Sequence, residues 1–251
     1  MHRFYLSPDD WSAATLAGSE AHHARDVLRL QPGARITLFD GRGREGTAEI
    51  SALDSAVVHV RVLHEAITPP LRARITLAQA IPKGKNMDLI VQKAVEIGAA
   101  EIFPLLSART VVQVDPESAA QKLAKWQAVA LEAGKQCGQN WIPQVHPPQT
   151  PDDFFAGASA AAYDLRLIGS LQPGALHLKQ ILADYARAHT PARPTKVLML
   201  IGPEGDFTPA EMALARSHGC APLTLGPIIL RVETAAIYCL SILSYELLAD
   251  S

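Results

Sequence analysis

The sequence predicts an α/β protein in two parts: a compact barrel of short strands, then a larger, mostly parallel sheet with helices on both faces. Three observations predict it. Hydrophobic residues alternate with a period of two in the strands before about residue 70. Thr68-Pro69-Pro70 then punctuates the chain, because paired prolines favour an extended linker. Beyond it, apolar runs of strand length alternate with helical segments. The parts are taken as residues 1–70 and 73–251.

In the first part, Arg35–Asp40 reads as a strand entering Gly41-Arg42-Gly43-Arg44-Glu45-Gly46, whose three glycines permit positive φ in a hairpin. Thr47–Leu53 and Val57–Leu63 follow. Val58, Val60 and Val62 point one way while His59 and Arg61 point the other. A short helix is expected from about Glu20 to Leu30. In the second part the strands are Ile75–Ala80, Glu101–Leu106, a segment near Ala160–Leu165, Lys196–Ile201 and Pro222–Leu225. The helices between them are Met87–Ile97 closed by Gly98, Pro116–Cys137, Leu176–Ala188, Pro209–His218 and finally Glu233–Leu248.

Composition excludes several function classes. With 48% hydrophobic and 19% charged residues the chain is not disordered. Lys plus Arg is 23 and Asp plus Glu 25, a net charge of −2, which excludes coating nucleic acid by overall charge but leaves room for a local basic face. Cys137, Cys220 and Cys239 are odd in number and lack C-x-x-C spacing, so neither a disulfide framework nor a zinc ribbon fits and no metal is expected. The first ten residues lack the apolar core of a signal peptide. The apolar stretch Ala235–Ala249 is broken by Ser241, Ser244 and Glu246, short of a membrane span. A soluble cytoplasmic protein without membrane contact is expected.

Ligands of open α/β sheets gather beyond the carboxyl ends of the strands, so the loops there are the first candidates. Val197–Ile201 runs into Gly202-Pro203-Glu204-Gly205-Asp206-Phe207, where two glycines let backbone approach a ligand. Thr208-Pro209-Ala210-Glu211 then opens a helix as a capping box. This is not G-x-G-x-x-G, and Glu204 and Asp206 would repel a pyrophosphate, so a dinucleotide enzyme is disfavoured. A second loop, Leu225-Gly226-Pro227-Ile228-Ile229-Leu230-Arg231-Val232-Glu233-Thr234, is apolar where loops are normally polar. Its apolar residues need cover from a ligand, another loop or a second subunit; the plainer reading is a core segment with Arg231 paired to Glu233. A third loop, Ile81-Pro82-Lys83-Gly84-Lys85-Asn86, places Lys83 and Lys85 at a helix amino end as phosphate contacts, or as a solvated turn.

Taken together and in this order, these segments resemble one family. Lys83-Gly84, Met87 and Lys93–Gly98 look like its first methyltransferase segment, and Gln136-Cys137-Gly138 with Ile142-Pro143 like its middle motif. Gly202-Pro203-Glu204-Gly205, Leu225-Gly226 and Ile229–Ala235 look like its C-terminal signature. Arg3-Phe4-Tyr5, His22-His23 and Val27-Leu28-Arg29 resemble its PUA-like barrel. The family is the RsmE-type 16S rRNA uridine-N3 methyltransferases of the SPOUT superfamily, and the likeness covers nearly the whole chain.

The resemblance implies a trefoil-knotted α/β domain behind the PUA-like barrel, an S-adenosyl-L-methionine site and a homodimer acting on 16S rRNA of the small ribosomal subunit. Ile201, Gly202, Pro203, Glu204 and Gly205 would bind the cofactor with Leu225, Gly226, Ile229, Leu230 and Thr234. Ile228, Ile229 and Leu230 would line the adenine pocket, Gly202 and Gly205 would leave bare backbone beside the cofactor, and the last helix would supply dimer contact. The chain departs from the family at Asp206, usually glycine, and at Ile228 and Gln139, usually arginine. Arg231 is kept.

Uracil N3 is a poor nucleophile until it loses its proton, and negative charge then spreads onto O2 and O4. A sulfonium methyl is already activated, so alignment and charge stabilisation are the remaining tasks. Arg231 suits the second; Glu233 and Glu204 are candidate bases by position, although a helix-capping carboxylate is a weak one. Residues 1–70 hold seven arginines against nine acids, again −2, and no lysine. Arg42 and Arg44 with Arg25 and Arg29 form the expected phosphate patch, joined by Arg3, Lys83 and Lys85. Alternative readings are another SPOUT enzyme, acting on ribose or transfer RNA, and a non-catalytic ribosome-assembly factor.

Overall fold

The computed structural model describes residues 1–112, 115–157 and 163–248. Two compact units emerge: Met1–Pro70 with Leu131–Ile142, and Leu71–Ala130 with Pro143–Ser251. Among the described residues no helix is long and apolar enough to cross a membrane.

The first unit is a five-stranded sheet. Strand β1 (Arg3–Tyr5) lies parallel to β3 (Arg35–Phe39), which pairs antiparallel with β4 (Arg44–Leu53), then β5 (Val57–Ile67), then the far edge β2 (Thr15–Ala17). The two short strands occupy opposite edges and do not pair, so the sheet is a curled half-barrel and not the closed barrel expected from sequence. Register shifts between Thr47 and Ala48 and between Ile50 and Ala52 mark irregularities that bend the long hairpin. The valine alternation of β5 holds: Val58 and Val60 are buried and Arg61 is exposed. Phe4, Leu16, Ile36, Leu38 and Ile50 complete the core. Two of the three hairpin glycines take positive φ, Gly41 and Gly43; Gly46 lies within β4 instead.

The helix expected over Glu20–Leu30 is shorter and changes type. α1 (Gly18–His22) passes into a π-helical turn, His23–Val27, which Leu28 closes by donating its N–H to the His23 carbonyl at 2.9 Å. Arg29 then turns left-handed at φ +53° and ends it.

Segment 131–142 joins this unit through specific bonds. Trp141 Nε1 donates to the Thr68 carbonyl at 2.9 Å, and Gly43 N–H to the Asn140 carbonyl at 2.9 Å. Lys135 bridges Glu132 and Glu20. Arg3 pairs with Glu45 at 2.7 Å, donates to Asn140 Oδ1 at 2.7 Å and lies over the Phe39 ring.

The second unit is a seven-stranded sheet in which every pairing is parallel. Its strands are β6 (Arg74–Ala80), β7 (Glu101–Leu105), β8 (Gln144–Val145), β9 (Leu165–Gly169), β10 (Leu176–His177), β11 (Lys196–Ile201) and β12 (Ala221–Thr224), in the order β10-β12-β9-β11-β6-β7-β8. The expected strand near Ala160–Leu165 starts outside the described residues; Tyr163 and Asp164 are not strand, and the strand observed runs from Leu165 to Gly169. The helices are α2 (Asn86–Ile97), α3 (Pro116–Cys137, whose last turns count with the first unit), α4 (Pro151–Gly157), α5 (Leu178–Ala188), α6 (Pro209–Ser217) and α7 (Val232–Leu248). Helix α5 begins two residues later than expected because Leu176–His177 pairs with β12.

β11 is buried on both faces, as its unbroken apolar run requires. Leu198 and Leu200, with Ala78 and Ala80, pack against Phe154, Phe155, Phe207 and Met212 of α4, α6 and the loop before it. The alternate residues Val197, Met199 and Leu77 face the other side, where α7 meets β6 and β11 and packs on α2. This layering brings the carboxyl ends of β9, β11 and β12 to the amino ends of α2 and α7.

Candidate active site

At those strand ends lies a cavity of about 440 Å³. One wall is the loop after β11. Asp206 N–H donates to the Pro203 carbonyl at 2.9 Å, making a turn, and Asp206 sits at φ +61°. That left-handed backbone explains why glycine suits this position, and aspartate is among the few side chains that tolerate it. Its Oδ1 accepts the Phe207 N–H at 2.8 Å.

Both loop glycines also have a reason within the protein itself. A Cβ on Gly202 would stand 3.2 Å from Phe207 and 3.3 Å from Asp206 Oδ1, so glycine lets the loop close on itself. A Cβ on Gly205 would stand 3.2 Å from Arg109, whose guanidinium bonds the Gly205 carbonyl. The capping box forms as expected: Thr208 Oγ1 accepts the Glu211 N–H at 3.2 Å, and Glu211 Oε2 accepts the Thr208 N–H at 2.8 Å. Glu211 also accepts the Ala108 N–H at 2.7 Å, tying a second loop to α6.

The opposite wall is the loop after β12. Gly226 adopts φ +111°, and Leu225, Gly226, Ile228, Ile229 and Leu230 line the cavity. Ile228 and Ile229 are nonetheless 73% and 75% exposed, so the described residues do not cover them. Arg231 lines the cavity, is exposed, and its guanidinium has no partner among the described residues. It does not pair with Glu233. Glu233, in the first turn of α7, accepts from Asn86 Nδ2 at 3.2 Å.

The predicted residues therefore divide. Ile201, Gly202, Pro203 and Glu204 meet Leu225, Gly226, Ile229 and Leu230 around one space, with Arg231 and Glu233 at its edge. Gly205 and the exposed Thr234 are not among its lining residues. The third loop joins through its backbone: Glu204 Oε1 accepts the Lys83 N–H at 2.9 Å, while the Lys83 and Lys85 side chains are exposed and unpartnered among the described residues. Sequence reasoning missed Gly169, the last residue of β9, Ser170 and Leu171 just after it, and the lining role of Asn86. A Gly-Ser pair at the end of an apolar strand was the available signal.

The amino-terminal arginines also divide. Arg42 is exposed and Arg29 is exposed, with side chains unpartnered among the described residues. Arg25 pairs with Asp26 and donates to the Asp54 and Ser55 carbonyls. Arg44 lies 5.1 Å over the Trp11 ring, and Arg3 is consumed by the bonds described above.

A family described as RNA methyltransferase domain matches residues 69–244, and one described as RNA methyltransferase PUA domain matches residues 16–63. The class is thus an RNA methyltransferase carrying a PUA domain. A Bacillus subtilis protein named ribosomal RNA small subunit methyltransferase E is 30% identical over 240 residues, covering 92% of this chain and 90% of its own. A Mycobacterium bovis protein of the same name is 29% identical, covering 93% and 87%. The Neisseria gonorrhoeae enzyme of that name, solved bound to S-adenosyl methionine, superposes with a TM-score of 0.84 at 32% identity over 98% of both chains. A Legionella pneumophila protein solved with the bound cofactor gives 0.83 at 34% identity over 97% of both. The chain belongs to the ribosomal RNA small subunit methyltransferase E family.

Proposed function

We propose that this chain transfers a methyl group from S-adenosyl-L-methionine to N3 of a uridine in 16S ribosomal RNA of the small subunit. The observation that carries the reading is the convergence of both signature loops on one cavity with an unpartnered arginine at its rim. Its size falls in the range of small-molecule sites. An apolar wall from Ile228 to Leu230 suits a flat heteroaromatic base, and three lining carboxylates suit a positive ligand. When bound, the cofactor supplies a methyl group activated on a sulfonium.

The chain's own residues then have separate tasks. Ile201 to Glu204 and Leu225, Gly226, Ile229 and Leu230 form the cofactor walls. Gly205 shapes its loop through Arg109, and Thr234 belongs to the helix turn that presents Glu233. Arg231 stabilises negative charge on O2 and O4 of the base. Glu233 is the candidate proton acceptor, oriented by Asn86. Arg29, Arg42, Lys83 and Lys85 have side chains free for RNA phosphate, whereas Arg3, Arg25 and Arg44 serve mainly the architecture of the first unit. Residues 1–70 act as the RNA-binding PUA-like part, and residues 73–251 as a trefoil-knotted SPOUT domain. The exposed Tyr238 and Tyr245 on α7 support a homodimer built on that helix. The setting is the cytoplasm, where small subunits are assembled.

Nucleoside mass spectrometry of 16S rRNA from cells lacking the protein tests the reading. Loss of 3-methyluridine, restored by the wild-type chain, is expected. Loss of a ribose-methylated nucleoside, or of a transfer-RNA modification, refutes it.

A further inference from the structure

The cavity wall is more negative than positive. Glu204, Asp206 and Glu233 line it against one cation, Arg231, so one positive minus three negative charges leaves two net negative charges. Two of these carboxylates are engaged by neighbouring elements, Glu204 by the Lys83 N–H and Glu233 by the Asn86 amide. Asp206 differs. Its left-handed backbone and the bond from Phe207 N–H to Oδ1 anchor the side chain, while Oδ2 has no partner among the described residues. A fixed carboxylate with one free oxygen on a largely apolar wall attracts a cation, repels an anion and is nearly indifferent to a neutral group.

We propose that Asp206 makes this site discriminate between the sulfonium cofactor and the uncharged thioether that methyl transfer leaves behind. The inference rests on the cofactor reading above and deepens it. The two ligands share the nucleoside and the amino-acid tail; they differ by one methyl group and one positive charge. Packing of the methyl group is common to wild type and variant, so a change at Asp206 reads the charge alone. A glycine at this position would accommodate the backbone equally well but carry no charge. Asp206 therefore raises affinity before transfer and withdraws that share of it afterwards, which favours release of the product.

Asp206→Asn tests this with little structural change, since asparagine matches the shape, tolerates left-handed backbone and keeps an Oδ1 acceptor for Phe207. Calorimetric titration of the full chain with S-adenosylmethionine and with S-adenosylhomocysteine is the measurement. The variant is expected to bind the sulfonium about tenfold more weakly and the thioether within about twofold of wild type, the difference shrinking with added salt. Asp206→Gly should reproduce the pattern. Equal weakening of both ligands overturns the proposal, because the carboxylate would then meet the shared tail or only shape the loop. Unchanged binding of both overturns it as well. Failure of the wild-type chain to bind either ligand sinks the cofactor reading, and this inference with it.

Discussion

Replacing Arg231 by alanine separates chemistry from architecture. The guanidinium has no partner among the described residues, so its removal breaks no described ion pair, and the backbone bond from Ala235 N–H to the Arg231 carbonyl at 2.8 Å survives. Stability should therefore change by no more than about 0.5 kcal/mol, as for an exposed substitution. The cofactor walls are backbone, apolar groups and carboxylates, none of which Arg231 bonds among the described residues, so the affinity for S-adenosylmethionine should stay within about threefold of wild type. The loss falls on the transfer step. A donor aimed at developing negative charge accounts for roughly 100- to 1000-fold in rate, about 2.7–4 kcal/mol. The assay is single-turnover transfer of a labelled methyl group onto small subunits lacking the modification, beside calorimetric cofactor binding and a thermal melt. A rate unchanged in the variant would remove Arg231 from the chemistry, and a collapsed melt would show a structural role in its place.

Gly43→Ala should destabilise the first unit by roughly 2–5 kcal/mol, because its φ is +98° and a Cβ would stand 2.7 Å from the Trp141 ring and 2.8 Å from the Thr68 carbonyl; a urea titration followed by tryptophan fluorescence reads it. Arg42→Glu should reduce the salt dependence of RNA binding by about one phosphate contact or more, and an unaltered slope would take Arg42 out of the footprint. His146, whose Nε2 lies 3.6 Å from the carboxylate, and the charge of Arg74 outweigh burial and hold the Glu101 carboxyl below its ordinary 4.5. A carboxylate depressed in the folded state adds stability above its unfolded value and loses it as pH falls through the folded one. Glu101→Gln should therefore narrow the gap in denaturation midpoint between neutral and acid solution, leaving a shallower acid limb.

What the sequence disclosed depended on how far an element's reasons reach along the chain. Lys196–Ile201 and the capping box at Thr208 were legible because burial on both faces and the cap are local properties, carried by the residues themselves. β1 and β2 were not. Each is three residues long with one buried side chain, Phe4 or Leu16, and becomes a strand only through partners such as Thr37 and Val58 far along the chain. The short α4 and the two-residue β8 and β10 escaped for the same reason. At the site, glycines and a misplaced apolar run marked two loops, but nothing local in Asn86 pointed to Glu233, and nothing in Gly202 pointed to Phe207. The cost of Arg3 as an RNA contact was equally invisible, since its bonds are made with Glu45 and Asn140.

The discontinuous membership of the first unit changes what counts as a transplantable module. A fragment cut at Pro70 would carry the five-stranded sheet but leave behind Lys135, Asn140 and Trp141, which bond to Glu20, Arg3 and Thr68. Exchange of this part between relatives by a single crossover would pair each sheet with a foreign segment 131–142. Recombination that preserves the unit needs two further exchanges, one at either end of a stretch lying in the middle of the methyltransferase portion. The hairpin at Gly43 and the loop at Trp141 should therefore be inherited together, as one trait written in two places.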